Sequence, residues 1–164
     1  MLDLIPVKAP ELMLGIDVGT TAVKVAAFTV QGDLVSAHTT DHPIGRPRPG
    51  WAEQDPLDWW RGCVTGMRAV LAGLPAGALR SVGIVSQVNT HVFVDEHLRP
   101  LASAIIWQDQ RCADIARELD ARFTTDEKVR IWGGPIVLDA SFVGARAEWF
   151  ARERSSLWER TRWV

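Results

Sequence analysis

The stretch Gly15-Ile16-Asp17-Val18-Gly19-Thr20-Thr21 decides the fold of this chain, because it joins a short apolar run to a turn. The run Leu12–Ile16 has the length and composition of a buried strand, and Gly19 with the two threonines supplies turn chemistry. The next run, Ala22–Phe28, places apolar residues on one face and Lys24 on the other, since strand side chains alternate. The stretch therefore predicts a β-hairpin with Lys24 facing away from the core.

The sequence beyond this hairpin predicts a mixed sheet with helices outside it. A turn at Gln31-Gly32-Asp33 leads to a third antiparallel strand, Leu34–Thr39. Asp55-Pro56 starts a helix, with Asp as N-cap and Pro at the first helical position, and its apolar residues recur at helical spacing to near Pro75. The remaining predicted elements are strands over 81–86, 90–95 and 104–107 and helices from Asp109 and from Ser141, separated by Trp132–Pro135.

The groups at the hairpin suit a phosphate. Glycine lets the backbone approach a ligand, and the candidate donors are Gly19, Thr20, Thr21 and Lys24. The stretch is neither a GxxxxGKS/T loop nor a GxGxxG turn, so a hairpin would hold the phosphates. Asp17 suits Mg²⁺, which proteins bind through one or two carboxylates beside nucleotide phosphates. The alternative is an ordinary tight turn that Asp17 caps.

The composition excludes several other classes of protein. A net charge of -2 provides no basic face for nucleic acid, and no stretch approaches the roughly 18 apolar residues of a membrane span. Met1–Pro10 lacks the continuous apolar segment of a signal peptide. Cys63 and Cys112 stand outside any CxxC pattern and suit a reducing compartment as small buried hydrophobes. The sequence predicts a cytoplasmic protein without a nucleic-acid or membrane partner.

Three stretches of the chain resemble the FGGY family of carbohydrate kinases, which includes glycerol kinases and xylulokinases. They are Gly15–Thr21 (GIDVGTT), Gly50–Pro56 (GWAEQDP) and Ala104–Arg111 (AIIWQDQR). They follow the order that the family uses, and the likeness extends over Leu12–Val164. The combination is far more specific than any one motif, so the resemblance favours a carbohydrate kinase.

The resemblance implies an α/β fold of the actin-like, ribonuclease-H-like kind, a mixed sheet with an antiparallel three-strand meander flanked by helices. Family members have two domains with ATP and sugar in the cleft between them, and closure that excludes water favours transfer over hydrolysis. Residues 12–164 then form an incomplete N-terminal domain behind an extension of residues 1–11. The aspartate that acts as general base is expected beyond Val164, so we expect residues 1–164 alone to lack kinase activity.

The resemblance also implies an acceptor site, with Gln87, Val88, Asn89, Trp107 and Asp109 as its candidate residues. Amide side chains both donate and accept, as hydroxyls require, and an aromatic plane packs against a carbon backbone. Glycerol-kinase-like members carry Arg-Glu in place of Val88-Asn89, and xylulokinase-like members carry Met-His. An aromatic residue of glycerol kinases is replaced by Ser141 in the stretch Asp139-Ala140-Ser141-Phe142, which opens the pocket. These departures speak against glycerol and leave the substrate open.

Each acceptor candidate has a structural alternative. Gln87 and Asn89 would satisfy a turn, Trp107 would belong to the core, and Asp109 and Asp139 would cap helices. His91 lies among apolar residues with no second ligand nearby in sequence, so a core or surface histidine is favoured over a catalytic one.

The resulting prediction is ATP-dependent phosphorylation of a sugar or polyol hydroxyl, with ATP and Mg²⁺ as cofactors. One alternative is an actin-like protein that binds nucleotide for assembly or regulation. Another is a sugar-binding regulator without catalysis. The oligomeric state is left open, with a homodimer as the candidate.

Overall fold

The computed structural model describes residues 11–164, so the predicted extension of residues 1–11 lies outside the described residues except for Glu11. The chain divides into two compact units. The sheet unit consists of the described residues up to His42 together with Leu57–Gln87, and the helical unit consists of Pro43–Pro56 together with Val88–Val164. None of the helices within residues 11–164 combines the length and apolarity needed to cross a lipid bilayer.

Eleven elements follow one another in the described residues. In chain order they are β1 (Leu12–Val18), β2 (Ala22–Thr29), β3 (Leu34–Asp41), β4 (Glu53–Gln54), α1 (Pro56–Leu71), β5 (Leu79–Ser86), β6 (Ala104–Ile105), α2 (Ala113–Asp120), α3 (Thr125–Trp132), α4 (Val143–Glu153) and α5 (Ser155–Trp158). The four-stranded sheet has the order β3-β2-β1-β5. β1 pairs antiparallel with β2 and parallel with β5, and β2 pairs antiparallel with β3. The predicted meander and mixed sheet are therefore confirmed.

Helix α1 covers one face of β1 and β2 at close range. Its buried residues are Gly62, Gly66 and Val70, and they pack on the side of the sheet that carries Val23 and Val25. A Cβ at Gly66 would stand 2.5 Å from Cγ2 of Val25, so only glycine allows this approach. The helix is predicted correctly, although it ends at Leu71. Its most apolar residues do not all face the core, because Trp60 is 65% exposed.

The helical unit is built around a small pairing of β4 with β6 and the helices that follow. β4 and β6 are antiparallel, with Glu53 opposite Ile105 and Gln54 opposite Ala104. The buried core of the unit consists of Phe93, Ile105, Cys112, Ala116, Ala145, Trp149 and Phe150. The rings of Phe93 and Phe150 stack with centroids 4.0 Å apart. This core fixes α2 and α4 against the segment that leads into Trp107.

The strand predicted over 90–95 is wrong, and the strand predicted over 104–107 is shorter than expected. The segment Thr90–Asp95 forms no strand, because isolated bridges pair His91 with Ile105 and Val94 with both Pro100 and Trp163. Separate partners for single residues cannot build a continuous ladder. The strand predicted over 104–107 pairs only at β6.

Helix α3 is not among the predicted elements. Its signal is a capping box, in which Thr124 Oγ1 accepts a hydrogen bond from Glu127 N and the Glu127 carboxylate accepts one from Thr124 N. The helix ends at Gly133, whose φ of 77° is the left-handed C-cap conformation. The Gly133-Gly134 pair therefore ends a helix as well as separating α2 from α4.

Candidate functional site

The predicted phosphate residues lie together in the hairpin between β1 and β2. The backbone N–H of Gly19 donates to the carbonyl of Ala22 at 3.0 Å, which leaves Thr20 and Thr21 as a two-residue loop. A Cβ at Gly19 would stand 3.1 Å from that carbonyl oxygen and 3.8 Å from Asp17 Oδ1, so glycine keeps the turn tight and the carboxylate close. Thr21 is exposed, and its carbonyl accepts from His42 N at 3.0 Å.

Asp17 and Lys24 face each other across the two strands. They are registered partners in the β1–β2 ladder, and Lys24 Nζ lies 3.7 Å from Asp17 Oδ2. The two side chains are 44% (Asp17) and 63% (Lys24) exposed, so the pair is solvated and weak. A carboxylate held this loosely remains able to bind a cation. The prediction that Lys24 points away from the core is confirmed.

Asp17 fits a Mg²⁺ ion that a nucleotide brings with it, rather than a site made by protein alone. Within the described part of the chain no group of three or more His, Cys, Asp or Glu side chains is arranged to hold a metal. Mg²⁺ keeps several waters and commonly needs only one or two carboxylates beside phosphate oxygens. One exposed carboxylate next to a glycine turn meets that requirement.

The face of the sheet opposite α1 carries an apolar cleft of about 440 Å³. Gly15, Ala26, Phe28 and Gly83 line it together with Asp17 and Lys24. The small residues make the cleft, because Gly83 has no atom within 4 Å of where a Cβ would stand. Asp17 therefore lies next to an open apolar surface as well as to the turn.

The predicted acceptor residues at 87–89 end β5 and form a turn. Gln87 N donates to the carbonyl of Val18 at 3.0 Å, which ties the end of β5 to the end of β1. Val88 is 75% exposed. Asn89 has a φ of 50°, a left-handed conformation that Asn adopts more readily than most residues. The turn alternative for Asn89 is thus correct as a description of its backbone.

Asp109, a predicted acceptor residue, lies in the protein interior, where its side chain is fully buried and bound by protein donors. Its Oδ2 accepts from Ala52 N at 2.6 Å and from Arg111 Nη2 at 2.7 Å, and its Oδ1 accepts from Arg111 N and Nε at 2.9 Å. It does not cap a helix, since α2 begins at Ala113 with Cys112 as N-cap.

The buried pair Asp109–Arg111 joins two of the stretches that carry the family resemblance. Arg111 Nη2 lies 2.8 Å from Glu53 Oε1, and its guanidinium carbon lies 3.6 Å from the centre of the Trp51 ring. Gly50–Pro56 and Ala104–Arg111 are therefore locked to each other by charge, hydrogen bonds and a cation–π contact.

This lock presents Trp107 to solvent. Trp107 is 46% exposed, so the alternative that it belongs to the hydrophobic core is wrong. Its backbone N–H donates to Thr90 Oγ1 at 3.2 Å, and Thr90 Oγ1 in turn donates to the Val88 carbonyl at 3.3 Å. Trp107 and the turn at Val88-Asn89 are thus held together through one threonine hydroxyl.

A cleft of about 260 Å³ opens beside Asn89 in the helical unit. Its polar lining consists of Asn89, His91, Asp139 and Ser141, and Phe142 adds an aromatic edge. Asp139 Oδ1 accepts from both N and Oγ of Ser141, at 2.7 and 2.6 Å, so these two side chains form one fixed polar group. Asp139 therefore caps a turn ahead of α4, whose N-cap is Phe142.

Sequence reasoning assigns only Asn89 of this lining to the acceptor site. Asp139 and Ser141 stand out in the sequence as a departure from the glycerol-kinase pattern, and that departure is the available signal. His91 has no neighbouring partner in sequence that would mark it. Its partner is Arg146, whose Nη1 lies 2.9 Å from His91 Nδ1, 55 positions along the chain.

Burial of His91 and its contact with Arg146 both favour the neutral ring. Burial and then the positive charge of Arg146 lower the pKa of His91 from 6.5 to about 4. Burial also raises the pKa of the Cys112 thiol to about 11, so the predicted inert role of this cysteine fits its surroundings.

Residues 12–164 match the N-terminal domain of the FGGY family of carbohydrate kinases. The chain belongs to this family. A xylulose kinase of Klebsiella pneumoniae is 34% identical over 118 residues, which are 72% of this chain and 24% of that protein. A glycerol kinase of Ralstonia nicotianae is 34% identical over 155 residues, 89% of this chain and 31% of that protein.

Solved structures agree with the FGGY assignment. A xyloylose kinase from Brucella ovis has a TM-score of 0.84 at 30% identity, and the match covers 93% of this chain and 31% of the chain of that kinase. The fold is therefore the actin-like ATPase fold of FGGY kinases, as the resemblance implied. The chain spans about a quarter to a third of the length of these FGGY relatives.

Proposed function

We propose that the protein carrying this chain transfers the terminal phosphoryl group of ATP to a hydroxyl of a sugar or polyol. The observation that carries the proposal is the unbroken match of residues 12–164 to the FGGY kinase N-terminal domain. The names of the relatives give xylulose and glycerol as acceptors. These two molecules share a carbon chain with several hydroxyls, which defines the acceptor class.

The hairpin is assigned to the phosphates of ATP. Gly19, Thr20 and Thr21 would supply backbone and hydroxyl donors, and Asp17 would hold the Mg²⁺ ion, which when bound neutralises charge on the phosphate oxygens. The solvated state of Asp17 and Lys24 supports this assignment, because neither charge is consumed by a buried partner. Lys24 would add positive charge beside the carboxylate without blocking it.

The 260 Å³ cleft is assigned to the acceptor. Its lining offers an amide at Asn89 and the fixed Asp139–Ser141 pair, which together donate to and accept from several hydroxyls. By the family resemblance, Ser141 replaces an aromatic side chain of glycerol kinases. Because serine is much smaller, the cleft has room for an acceptor longer than glycerol. A protein that only assembled on nucleotide would not require such a polar cleft.

The remaining acceptor assignments follow from what each candidate contacts. Trp107 and Val88 are exposed and tied to the Asn89 turn through Thr90, so we assign them to the apolar face of the acceptor. Gln87 stays an acceptor candidate at the end of β5. Asp109 is reassigned to positioning Trp107 through the lock with Arg111. The base that removes the proton of the attacking hydroxyl is assigned outside residues 1–164.

Replacing Asp17 tests the phosphate assignment. In the protein that carries this chain, Asp17→Ala is expected to lower kcat for acceptor-dependent ADP release by about 100-fold or more, because charge on the transferred group loses its stabilisation. Acceptor binding, measured by calorimetry without nucleotide, should stay within about twofold of wild type, by the separation of binding from transition-state stabilisation.

Asp33→Ala is the matched control. Asp33 lies in the next hairpin turn of the same sheet and accepts a hydrogen bond from Thr29 Oγ1 at 3.2 Å, in an exposed position. It should leave kcat unchanged. Equal turnover in the Asp17 and Asp33 variants would remove Asp17 from the phosphate site.

A further inference from the structure

Arg146 lies beneath the acceptor cleft and is fully buried. Its Nη1 donates to the carbonyl of Asn89 at 2.5 Å and to that of Ile105 at 2.7 Å, and contacts His91 Nδ1 at 2.9 Å. Its Nη2 donates to the Ile106 carbonyl at 2.8 Å, and its Nε donates to the Ala140 carbonyl at 3.2 Å. All five of these hydrogen-bond partners are neutral groups, and the carboxylates of Asp109 and Asp139 add favourable charge from nearby.

A buried guanidinium whose hydrogen-bond partners are all neutral costs more free energy than an apolar side chain of the same size would. Taking a charge out of water costs several kcal/mol even after the protein relaxes, and a well-packed apolar side chain commonly does at least as well for stability. What a guanidinium offers instead is geometry, because its five N–H donors lie in one rigid plane. The contacts of Arg146 should therefore be judged by what they hold in place.

The hydrogen bonds of Arg146 hold both walls of the cleft. Asn89 and His91 form one wall, and Ala140 stands between Asp139 and Ser141 on the other. The carbonyls of Ile105 and Ile106 belong to the residues immediately before Trp107. One side chain thus sets the spacing of every segment that we assign to the acceptor, apart from Gln87.

Arg146 also acts on the backbone conformation of Asn89 and on the tautomer of His91. Its bond to the Asn89 carbonyl holds in place a left-handed residue, with a φ of 50°, a conformation that asparagine adopts more readily than most residues. A guanidinium nitrogen accepts no hydrogen bond, so the 2.9 Å contact fits the His91 tautomer with an unprotonated Nδ1 and the ring hydrogen on Nε2.

We propose that Arg146 is the positioning residue of the acceptor site, which it builds by holding Asn89, Ala140 and His91 at fixed spacing. The inference rests on the proposed function, because it takes the cleft as the acceptor site. It assigns no contact between Arg146 and the acceptor itself. Loss of the guanidinium fork should therefore act on recognition of the acceptor and not on ATP.

Arg146→Lys tests this in the protein that carries the chain. Lysine keeps the charge but gathers its donors at one nitrogen, so it cannot reach both walls. The variant should raise KM for the acceptor by about 10- to 100-fold, the loss that follows a displacement of about 1 Å, while KM for ATP stays within about twofold. Arg152→Lys on the same helix is the matched control, since Arg152 is half exposed and pairs with Glu148.

A second measurement needs no variant. Long-range proton–nitrogen NMR of the wild-type protein near neutral pH should show His91 with its hydrogen on Nε2 and an unprotonated Nδ1. A hydrogen on Nδ1 would overturn the inference even if Arg146→Lys failed to fold.

The two proposals fail in different ways. If the wild-type protein phosphorylates an acceptor and Arg146→Lys leaves its KM unchanged, the positioning role is wrong and the kinase assignment stands. If no acceptor raises ADP release in the wild-type protein, the kinase assignment itself is wrong, and the positioning role falls with it.

Discussion

Single residues in this chain have roles that their type alone does not indicate. Asp109 follows the exposed Trp107 by two positions, yet its side chain is sealed in the protein and bound by four N–H groups. Arg111, its partner, is only 3% exposed along its side chain. A buried pair of this kind depends on both members, because Arg111 would keep its charge with only the partly exposed Glu53, 2.8 Å away, as compensation.

Asp109→Asn should therefore destabilise the fold by about 3–5 kcal/mol, the usual cost of removing one partner of a buried ion pair. Urea unfolding followed by circular dichroism measures the change. Asp114→Asn is the control, because Asp114 pairs with Arg117 on the exposed face of α2, and surface pairs contribute about 1 kcal/mol or less. Similar small losses for both variants would contradict the assigned role of Asp109.

His91 gives a prediction for pH. Its pKa in the folded protein is lowered from 6.5 to about 4, first by burial and then by Arg146, so the unfolded chain binds a proton more readily. The neutral ring thus favours the folded state fully above pH 6.5, and this contribution is lost as the pH falls toward 4. An NMR titration of the His91 ring should give a midpoint well below 6.5. A midpoint near 6.5 would contradict the burial and the Arg146 contact.

The sequence is a good guide to local chemistry and a poor one to distant partners. Asp17, Gly19, Thr20, Thr21 and Lys24 are neighbours in sequence, and strand alternation is enough to bring them together. The five bonds of Arg146 span 6 to 57 positions, and no local pattern marks an arginine as buried. Asp109 and Ala52, which hydrogen-bond to each other, are likewise 57 positions apart in sequence.

At the level of elements, α1 is held to the sheet by glycines rather than by its largest apolar residues. Gly62 and Gly66 are one helical turn apart, and they bring the helix backbone onto Val23 and Val25. Periodicity predicts the helix and its start correctly, but it ranks Leu57 and Trp60 above the glycines as core residues. Close approach of backbones is a tertiary property, and a scale of residue hydrophobicity does not register it.

Gly66→Ala should destabilise the sheet unit. The new Cβ would meet Val25 Cγ2 at 2.5 Å, and crowding of this kind costs up to about 3 kcal/mol, against a gain of about 1 kcal/mol in helix propensity, so we expect a net loss of up to about 2 kcal/mol. Gly73→Ala is the control, because no atom lies within 4 Å of the added carbon. Thermal or urea unfolding compares the two. A Gly66→Ala variant as stable as wild type would show that α1 does not pack this closely.

The poorly predicted segments share one physical cause. Thr90–Asp95 is extended and partly buried, which resembles a strand in sequence, but its backbone groups are satisfied by several different partners. Helix α3 has no buried residue, so apolar spacing provides little signal, and its capping box is the better indicator. Both cases depend on where hydrogen bonds go rather than on hydrophobicity.

For the whole molecule, the described chain divides the two proposed binding roles between its two units. The sheet unit carries the Asp17 hairpin, and the helical unit carries the polar cleft with Asn89, Asp139 and Ser141. The fold and the FGGY assignment could be predicted from three short stretches because each stretch has a structural role. One forms the turn, and the other two lock to each other through Arg111.

The identity of the acceptor is a question for the whole protein. By the family resemblance, Val88-Asn89 matches neither the glycerol-kinase nor the xylulokinase motif pair, and Ser141 stands in place of an aromatic residue of glycerol kinases. A panel of pentuloses, hexuloses and polyols therefore has to include molecules longer than glycerol.

Acceptor-dependent ADP release by the protein that carries this chain, measured with ATP and Mg²⁺ across that panel, tests the central claim most directly. We expect that at least one sugar or polyol longer than glycerol raises ADP release well above the rate with ATP alone, with the phosphate recovered on the acceptor. ADP release that no acceptor changes, or nucleotide-driven assembly seen by light scattering without any phosphorylated product, would contradict it.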